Sequence, residues 1–452
     1  MTDTRADAAA ATKALAQHAL TYWDAPLDAE AIQVAKHCVL DWFAVATPGM
    51  EEPCAKIVLA ELAEASHGSA SIVGRPMKLA ARDAALVNGV ASHALDYDDF
   101  NANSGAHATA PTMPAVLAAA QEEGRSGMEA LRAFIAGYEA QSVVGRMVAP
   151  SHYAIGFHNT ATVGTIGAAV AAGLLLRLNE AQMRAAIGLA VTQASGLKSM
   201  FGTMAKPLHA GTAASNGVLA ARLAKRGFTA NLDALETPQG FIATQSREAP
   251  PAAPWLPRPG AEVLNNCFKY SAACFGTHST LAAFADLREA APFDAEDIES
   301  VTLHVSEGLL GVCNILDPQT GLESKFSLRQ AAAFGILGAD TADIATYSDR
   351  NARDPAIVKV REKVAIAPLA GTTFSGARVV VALRSGAVRE AEADVTKPST
   401  DYALQGRRLR AKYDALVTPL LGARAGALAE AIDSLETQPG IARLVQLTEH
   451  AT

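Results

Sequence analysis

The sequence predicts a mainly α protein, with a large all-helical domain followed by a smaller α+β domain. Three observations carry this. Apolar residues recur at three- and four-residue spacing through the first half, with Ala dominant. No stretch before about residue 298 alternates convincingly between apolar and polar. After a run with five prolines between positions 250 and 259, β-branched segments flanked by glycine appear for the first time.

The helices are expected in order. Residues 8–22 and 29–46 are periodic at helical spacing, and 77–95, 113–123, 128–148, 160–176 and 180–194 follow the same rule. Ala favours helix and lets neighbouring helices approach closely. Residues 207–226 form a further helix, with Pro207 near its start and Gly227 after its end. The proline run marks a boundary. Beyond it, residues 298–306 alternate, with Val301, Leu303 and Val305 on one face. Residues 377–384 read as a strand between Gly376 and Gly386, and 389–395 as its hairpin partner. Helices are expected near 278–290 and 327–337, and again at 409–420 and 425–435, the last two packing back on the first domain. The expected division is 1–264, 265–397 and 398–452.

Composition narrows the function. The chain has 452 residues, too many for one compact core. It is 50% hydrophobic and 19% charged, with a net charge of −8. That is a globular balance, and it argues against a general nucleic-acid binder. The five cysteines (38, 54, 267, 274, 313) contain no C-x-x-C pair, so neither a disulfide framework nor a four-cysteine metal site is expected. The first residues lack the pattern of a signal peptide, and the longest uncharged run, 159–176, reads as a buried helix, not a membrane span. A soluble cytoplasmic protein is expected.

Four segments carry chemistry. His93, Asp96, Asp98, Asp99 and His107 fall within fifteen residues of an otherwise apolar region. Burying such charge is costly unless it is paired or used. Carboxylates with imidazoles also suit a divalent ion, so a metal-dependent lyase or hydrolase is one reading. His158 precedes a helix start, where the positive dipole end disfavours its charged form. Lys206 precedes Pro207 and His209 at another helix start, where free backbone N–H groups and an ammonium would suit a carboxylate or a phosphate. Lys269, Tyr270, Cys274 and His278 cluster at the domain boundary, a usual place for a ligand cleft. No phosphate loop, dinucleotide fingerprint or acyl-transfer motif is present.

At these segments the chain resembles the MmgE/PrpD family, which includes 2-methylcitrate dehydratase, cis-aconitate decarboxylase and iminodisuccinate epimerase. The resemblance rests on ASHALDYDDF (91–100) with HATAP (107–111), GFHNT (156–160), KPLHAG (206–211) and Lys269–His278, in family order. Gly137-Tyr138-Glu139, Gln193–Leu197 and Phe326-Ser327-Leu328 are weaker echoes. It implies a helical domain with an α+β lid, a homodimer, and a cofactor-independent site between the domains that takes a small anionic carboxylate. It places Asp96, His107, His158 and Lys206 in the catalytic site and Lys269 beside them. His107 and His158 are expected to move protons, Lys206 and Lys269 to clamp carboxylates, and Asp96 to orient a histidine or a substrate hydroxyl. Tyr270, Cys274, Phe100, His209 and His278 are expected to bind substrate. The chain departs from the family pattern at Phe100, where Thr or Ser is usual, and at Cys274, where the decarboxylase branch has His. It also has Ala108 after His107 and Val143 where Arg is common. The expected reaction is dehydration of a small hydroxy di- or tricarboxylate, with epimerisation and decarboxylation as alternatives.

Overall fold

The computed structural model describes residues 10–248 and 255–449. Eleven described helices build the first part: α1 (Ala11–Thr21), α2 (Ala29–Gly49), α3 (Pro53–Ala63), α4 (Ala81–His93), α5 (Thr109–Glu123), α6 (Gly127–Val148), α7 (Ser151–Ile155), α8 (Asn159–Leu175), α9 (Glu180–Val191), α10 (Ala205–Lys225) and α11 (Phe241–Gln245). Helix α10 lies against both α4 and α8, and α8 lies against α5 and α6. Small residues set these contacts. A Cβ on Gly89 of α4 would stand 2.6 Å from the Cα of Gly211 in α10, so neither position has room for a side chain.

The expected helices are present where the residues are described, with ends shifted by a few positions. The 77–95 helix starts later, because Lys78–Leu79 (β2) pairs antiparallel with Ala70–Ser71 (β1). Helix α3 was not expected. It buries Cys54 and Ala55 and rests Val58, Leu59 and Leu62 partly buried on the core, a short stripe interrupted by Ile57, which is 60% exposed. Two further short strands, β3 (Phe100–Asn101) and β4 (Asn266–Cys267), pair across the chain. Prolines 250, 251 and 254 of the boundary run lie outside the described residues.

A four-stranded sheet forms the second part, in the order β6–β5–β7–β8. Strand β5 (Ile298–Val305) pairs antiparallel with β7 (Ala377–Leu383), and β7 with β8 (Val388–Ala393), as the alternation implies. The edge strand β6 (Val364–Pro368) runs parallel to β5. It is five residues ending at a proline, too short to show a period. The His278–Ala290 and Leu328–Leu337 helices pack on this sheet and on each other.

The core divides accordingly. One cluster runs through the first helices and takes in Leu409, Tyr413, Leu428 and Ile432, because the Tyr402–Leu421 and Ala423–Asp433 helices return to α2. A second covers the sheet with residues 274–383. A third joins the two, with Val45, Leu95 and Tyr97 against Ala272, Ala273, Phe334 and Tyr347. The acidic run therefore sits where the two parts meet. Among the described residues no helix is long and apolar enough to cross a membrane.

Candidate active site

The acidic run leaves α4 through a turn in which Asp96 adopts φ +51°. That left-handed conformation is uncommon outside glycine but tolerated by Asp. Lysines hold it in place. The Lys325 ammonium donates to the carbonyl of Leu95, Lys269 to that of Asp96 at 2.7 Å and Lys412 to that of Tyr97 at 2.7 Å. These donors come from the sheet part, the junction and the C-terminal helix respectively. Burial lowers the Lys325 ammonium to about 8, and Lys412 is lowered for the same first reason, although Asp41 lies 2.6 Å away.

Asp96 is flanked by two ammoniums. Lys269 donates to Oδ1 at 2.6 Å, and Lys206 lies 2.8 Å from Oδ2. Burial opposes charge on Asp96, but these two cations hold its carboxyl well below the usual range. They are not equivalent. Lys269 is fully buried beneath Asp96, whereas Lys206 lies on a cavity wall. The Lys206 ammonium meets Asp96 through Oδ2 alone and also faces the cavity.

Asp98 serves the histidines. Its carboxylate lies 2.9 Å from Nδ1 of His93 and 3.0 Å from Nδ1 of His107. Burial opposes its charge too, yet the two imidazoles hold it well below the usual carboxylate range. Burial lowers His93, and lowers His107 to about 4. His107 is therefore neutral near pH 7; Nδ1 of each ring lies on the Asp98 side, hydrogen-bonded to it in His93 and in close contact with it in His107. Asp98, not Asp96, orients His107, whose Nε2 is 3.9 Å from Asp96. Asp99 is different: burial and the nearby Asp41 charge push it up to about 7. It accepts from the Thr109 hydroxyl and from Asn266 Nδ2, tying α5 to β4.

His107 and His158 are 51 positions apart in sequence, and hydrogen bonds bring them together. The His107 N–H donates to Thr160 Oγ1 at 3.0 Å, and Asn159 Nδ2 donates to the carbonyl of Ser104 at 2.6 Å. His158 precedes α8 and donates its backbone N–H to Gly196 at 3.0 Å. Burial, then the Lys206 charge, lowers His158 well below its ordinary value. Its Nδ1 lies 3.1 Å from Nδ1 of His209, itself lowered to about 4, first by burial.

A cavity of about 540 Å³ opens onto this cluster. His107, His158 and Lys206 reach it, with Phe100 and Cys274 of the expected substrate contacts. Asp96 and Lys269 lie behind the wall, and His209 stands behind His158. Tyr270 and His278 do not line the cavity. Tyr270 packs under the Arg408 guanidinium, 3.8 Å from the ring centre. His278 turns Nε2 to the carbonyl of Ala273 at 3.2 Å, and burial lowers it to about 3. The expected free N–H groups at the start of α10 are also taken: Ala205 and Lys206 donate to Thr203. The ammonium alone faces the cavity.

Lys325 adds to the site expected from sequence, as do the wall residues Tyr153, Lys198, Phe201 and Phe374, for which motif position gave no signal; Phe275, inside the Lys269–His278 segment, also lines the wall. His93 and Asp98 of the acidic cluster serve His107 and not the cavity directly.

His93, Asp96, Asp98 and His107 have ligand atoms within 4.8 Å of one another, a spacing a metal ion could use. The donor set does not fit one. Both Asp96 oxygens face ammoniums, and Asp98 is in contact with two rings, so an added cation would meet two positive charges and displace four contacts.

The models of the MmgE/PrpD N-terminal and C-terminal domains match residues 13–253 and 271–437. The chain belongs to the MmgE/PrpD family. Similar proteins include the cis-aconitate decarboxylase of Mus musculus, 29% identical over 74% of this chain and 70% of that protein. The Homo sapiens and Aspergillus terreus cis-aconitate decarboxylases are 33% and 32% identical, each over 50% of this chain and 48% of its own length. The chain thus spans about half the length of these last two. In this MmgE/PrpD chain the weaker family motifs have structural work. Tyr138 bridges Asn101 and Asn266, Gly196 accepts from His158, and the Phe326 ring lies 5.0 Å from the Lys206 ammonium.

Proposed function

We propose that this protein is a cofactor-independent lyase that moves a proton next to a carboxylate of a small acid. The observation that carries the reading is the cavity wall, where the imidazoles of His107 and His158, both lowered by burial, stand with the Lys206 ammonium. Such a step passes through an enolate-like state whose charge grows on the carboxylate, and a preorganised cation lowers its energy. Lys206 supplies that charge.

Dehydration of a hydroxy acid uses both imidazoles. His107 Nε2 takes the proton from carbon, and Asp98 at Nδ1 stabilises the imidazolium that forms. The C–O bond then breaks as the carbon–carbon double bond forms. His158 donates a hydrogen bond to the departing oxygen. The proton on His107 leaves with hydroxide as water, so the enzyme returns to its starting charge.

Decarboxylation is the second reading, favoured by the activity named for the similar proteins. There the carbon–carbon bond to carbon dioxide breaks first, and an imidazolium delivers a proton to the carbanion. Epimerisation needs only removal and return of the proton. A homodimer completes the proposal, and sedimentation reads it directly.

The test is a panel of 2-methylcitrate, citrate, cis-aconitate and iminodisuccinate, followed by NMR in deuterated water. An alkene product supports dehydration, loss of carbon dioxide supports decarboxylation, and deuterium at a carbon that keeps its substituents supports epimerisation. No exchange and no product with any member would refute proton transfer on this class of acid.

A further inference from the structure

We infer that the natural substrate carries an apolar arm beside a head of no more than two carboxylates. This rests on the reading of Lys206 as the carboxylate partner and deepens it.

The cavity has a charged end and a largely apolar remainder, in which Asn103, Ser104, Asn159, Thr373, Ser375 and Thr396 supply neutral polar groups. At the charged end stand Lys206, His107 and His158. Phe100 faces the same space, fixed by its backbone pairing with Cys267 and by ring stacking on Phe275 at 4.6 Å. Its ring also meets His107 edge-on at 5.6 Å, so the aromatic wall begins beside the expected base. Phe201 continues it against His158 at 4.9 Å, and Val312 adds a further apolar wall. Toward the solvent, Tyr153 and Phe374 meet edge-to-face at 5.8 Å, and Phe374 is 39% exposed.

Charge on the wall is scarce. Among the described residues two ammoniums reach the cavity, and no arginine does. Lys206 is already half balanced by Asp96. Lys198 is held by the Tyr153 carbonyl at 3.1 Å and the Tyr153 ring at 3.9 Å. A third carboxylate would lose water among aromatic rings with no cation to meet it. The volume, about 540 Å³, lies in the range that encloses drug-sized ligands, well beyond a carboxylate head. An alkyl or aryl arm on the reacting carbon or its neighbour fills that space.

The experiment is calorimetric binding of malate, 2-methylmalate, 2-propylmalate, 2-benzylmalate and citrate to the full chain. Affinity is expected to rise along the malate series by about fourfold for each methylene buried, with citrate at least tenfold weaker than 2-propylmalate. A flat series, or citrate as the tightest ligand, would overturn the inference. Lys206→Met separates the two claims. Loss of binding for every member, with the wild-type series flat, sinks the apolar arm and keeps the carboxylate partner. Unchanged binding of every member sinks the partner itself. No binding to the wild-type protein by any member overturns both. Phe100→Thr is expected to compress the ratio between 2-benzylmalate and malate by tenfold or more, and an undiminished ratio would remove Phe100 from the wall that matters.

Discussion

Replacing each of the two lysines on Asp96 by Met should separate structure from chemistry. Lys269 is fully buried and donates two hydrogen bonds, to Oδ1 at 2.6 Å and to the carbonyl at 2.7 Å. Charge-assisted bonds of this kind contribute about 1.5–3 kcal/mol each, and breaking a buried pair costs about 3–5 kcal/mol. Asp96 keeps Lys206 in the Lys269→Met variant, so about 3 kcal/mol is expected. Lys206 makes a single contact to Asp96, 2.8 Å from Oδ2 on the cavity side, and its removal leaves Lys269 in place. Lys206→Met should cost stability of about 1 kcal/mol, near one net hydrogen bond. Its turnover should fall by about 10²–10³, the usual effect of losing a charge that stabilises an oxyanion. Urea melts of both variants, read by far-UV circular dichroism, give the stability difference, and the NMR panel gives turnover. Equal shifts in the melting midpoint, with full turnover in Lys206→Met, would refute the division of roles.

Further predictions address protons and ions. Asp98→Asn should lower turnover by about 10²–10⁴, the range for general acid–base groups, and move the acid limb of the kcat/KM profile to lower pH. Asp98 raises the proton affinity of His107, so an unmoved limb would disconnect the pair. In the wild type that limb should fall near pH 4, since His107 must be neutral to accept a proton and is lowered to about 4. Asp99 is raised to about 7 by burial and then Asp41, above the value of 3.8 it has in the unfolded chain. Its stabilising contribution is thus complete below pH 3.8 and is lost as pH rises toward 7. In Asp99→Asn the fall of stability between pH 4 and 7 should be shallower by up to about 1.4 kcal/mol per pH unit, and parallel wild-type and variant curves would contradict it. Turnover should survive dialysis against EDTA, and loss of activity restored by a divalent metal would reinstate the acidic run as a metal site.

The sequence made the helices legible because their apolar positions recur and their ends carry turn residues, as at Ser126 and Glu129, which form the capping box of α6. It hid α3, whose apolar stripe is short and only partly buried, and β6, whose pairing depends on a strand sixty residues earlier. The catalytic candidates were legible as motifs: His107, His158 and Lys206 converge on one cavity. The partners of the acidic run were not. Spacing alone gives Asp96, Asp98 and Asp99 the same character, and only the fold sets two lysines on the first, two histidines on the second and a threonine hydroxyl on the third. Tyr270 and His278 share a short segment with Cys274, yet the chain turns between them, and only Cys274 reaches the wall. Phe201 and Phe374, 173 positions apart, meet at the cavity through tertiary packing that no local pattern announces.

The central claim is metal-free proton transfer by His107 and His158 beside Lys206. Its most direct test is deuterium incorporation from D₂O into the carboxylate panel, followed by NMR in the presence of EDTA, for the wild type, His107→Ala and His158→Ala. The account predicts incorporation or product by the wild type and a loss of orders of magnitude in each variant, with melting midpoints retained. Near-wild-type exchange in both variants would contradict it.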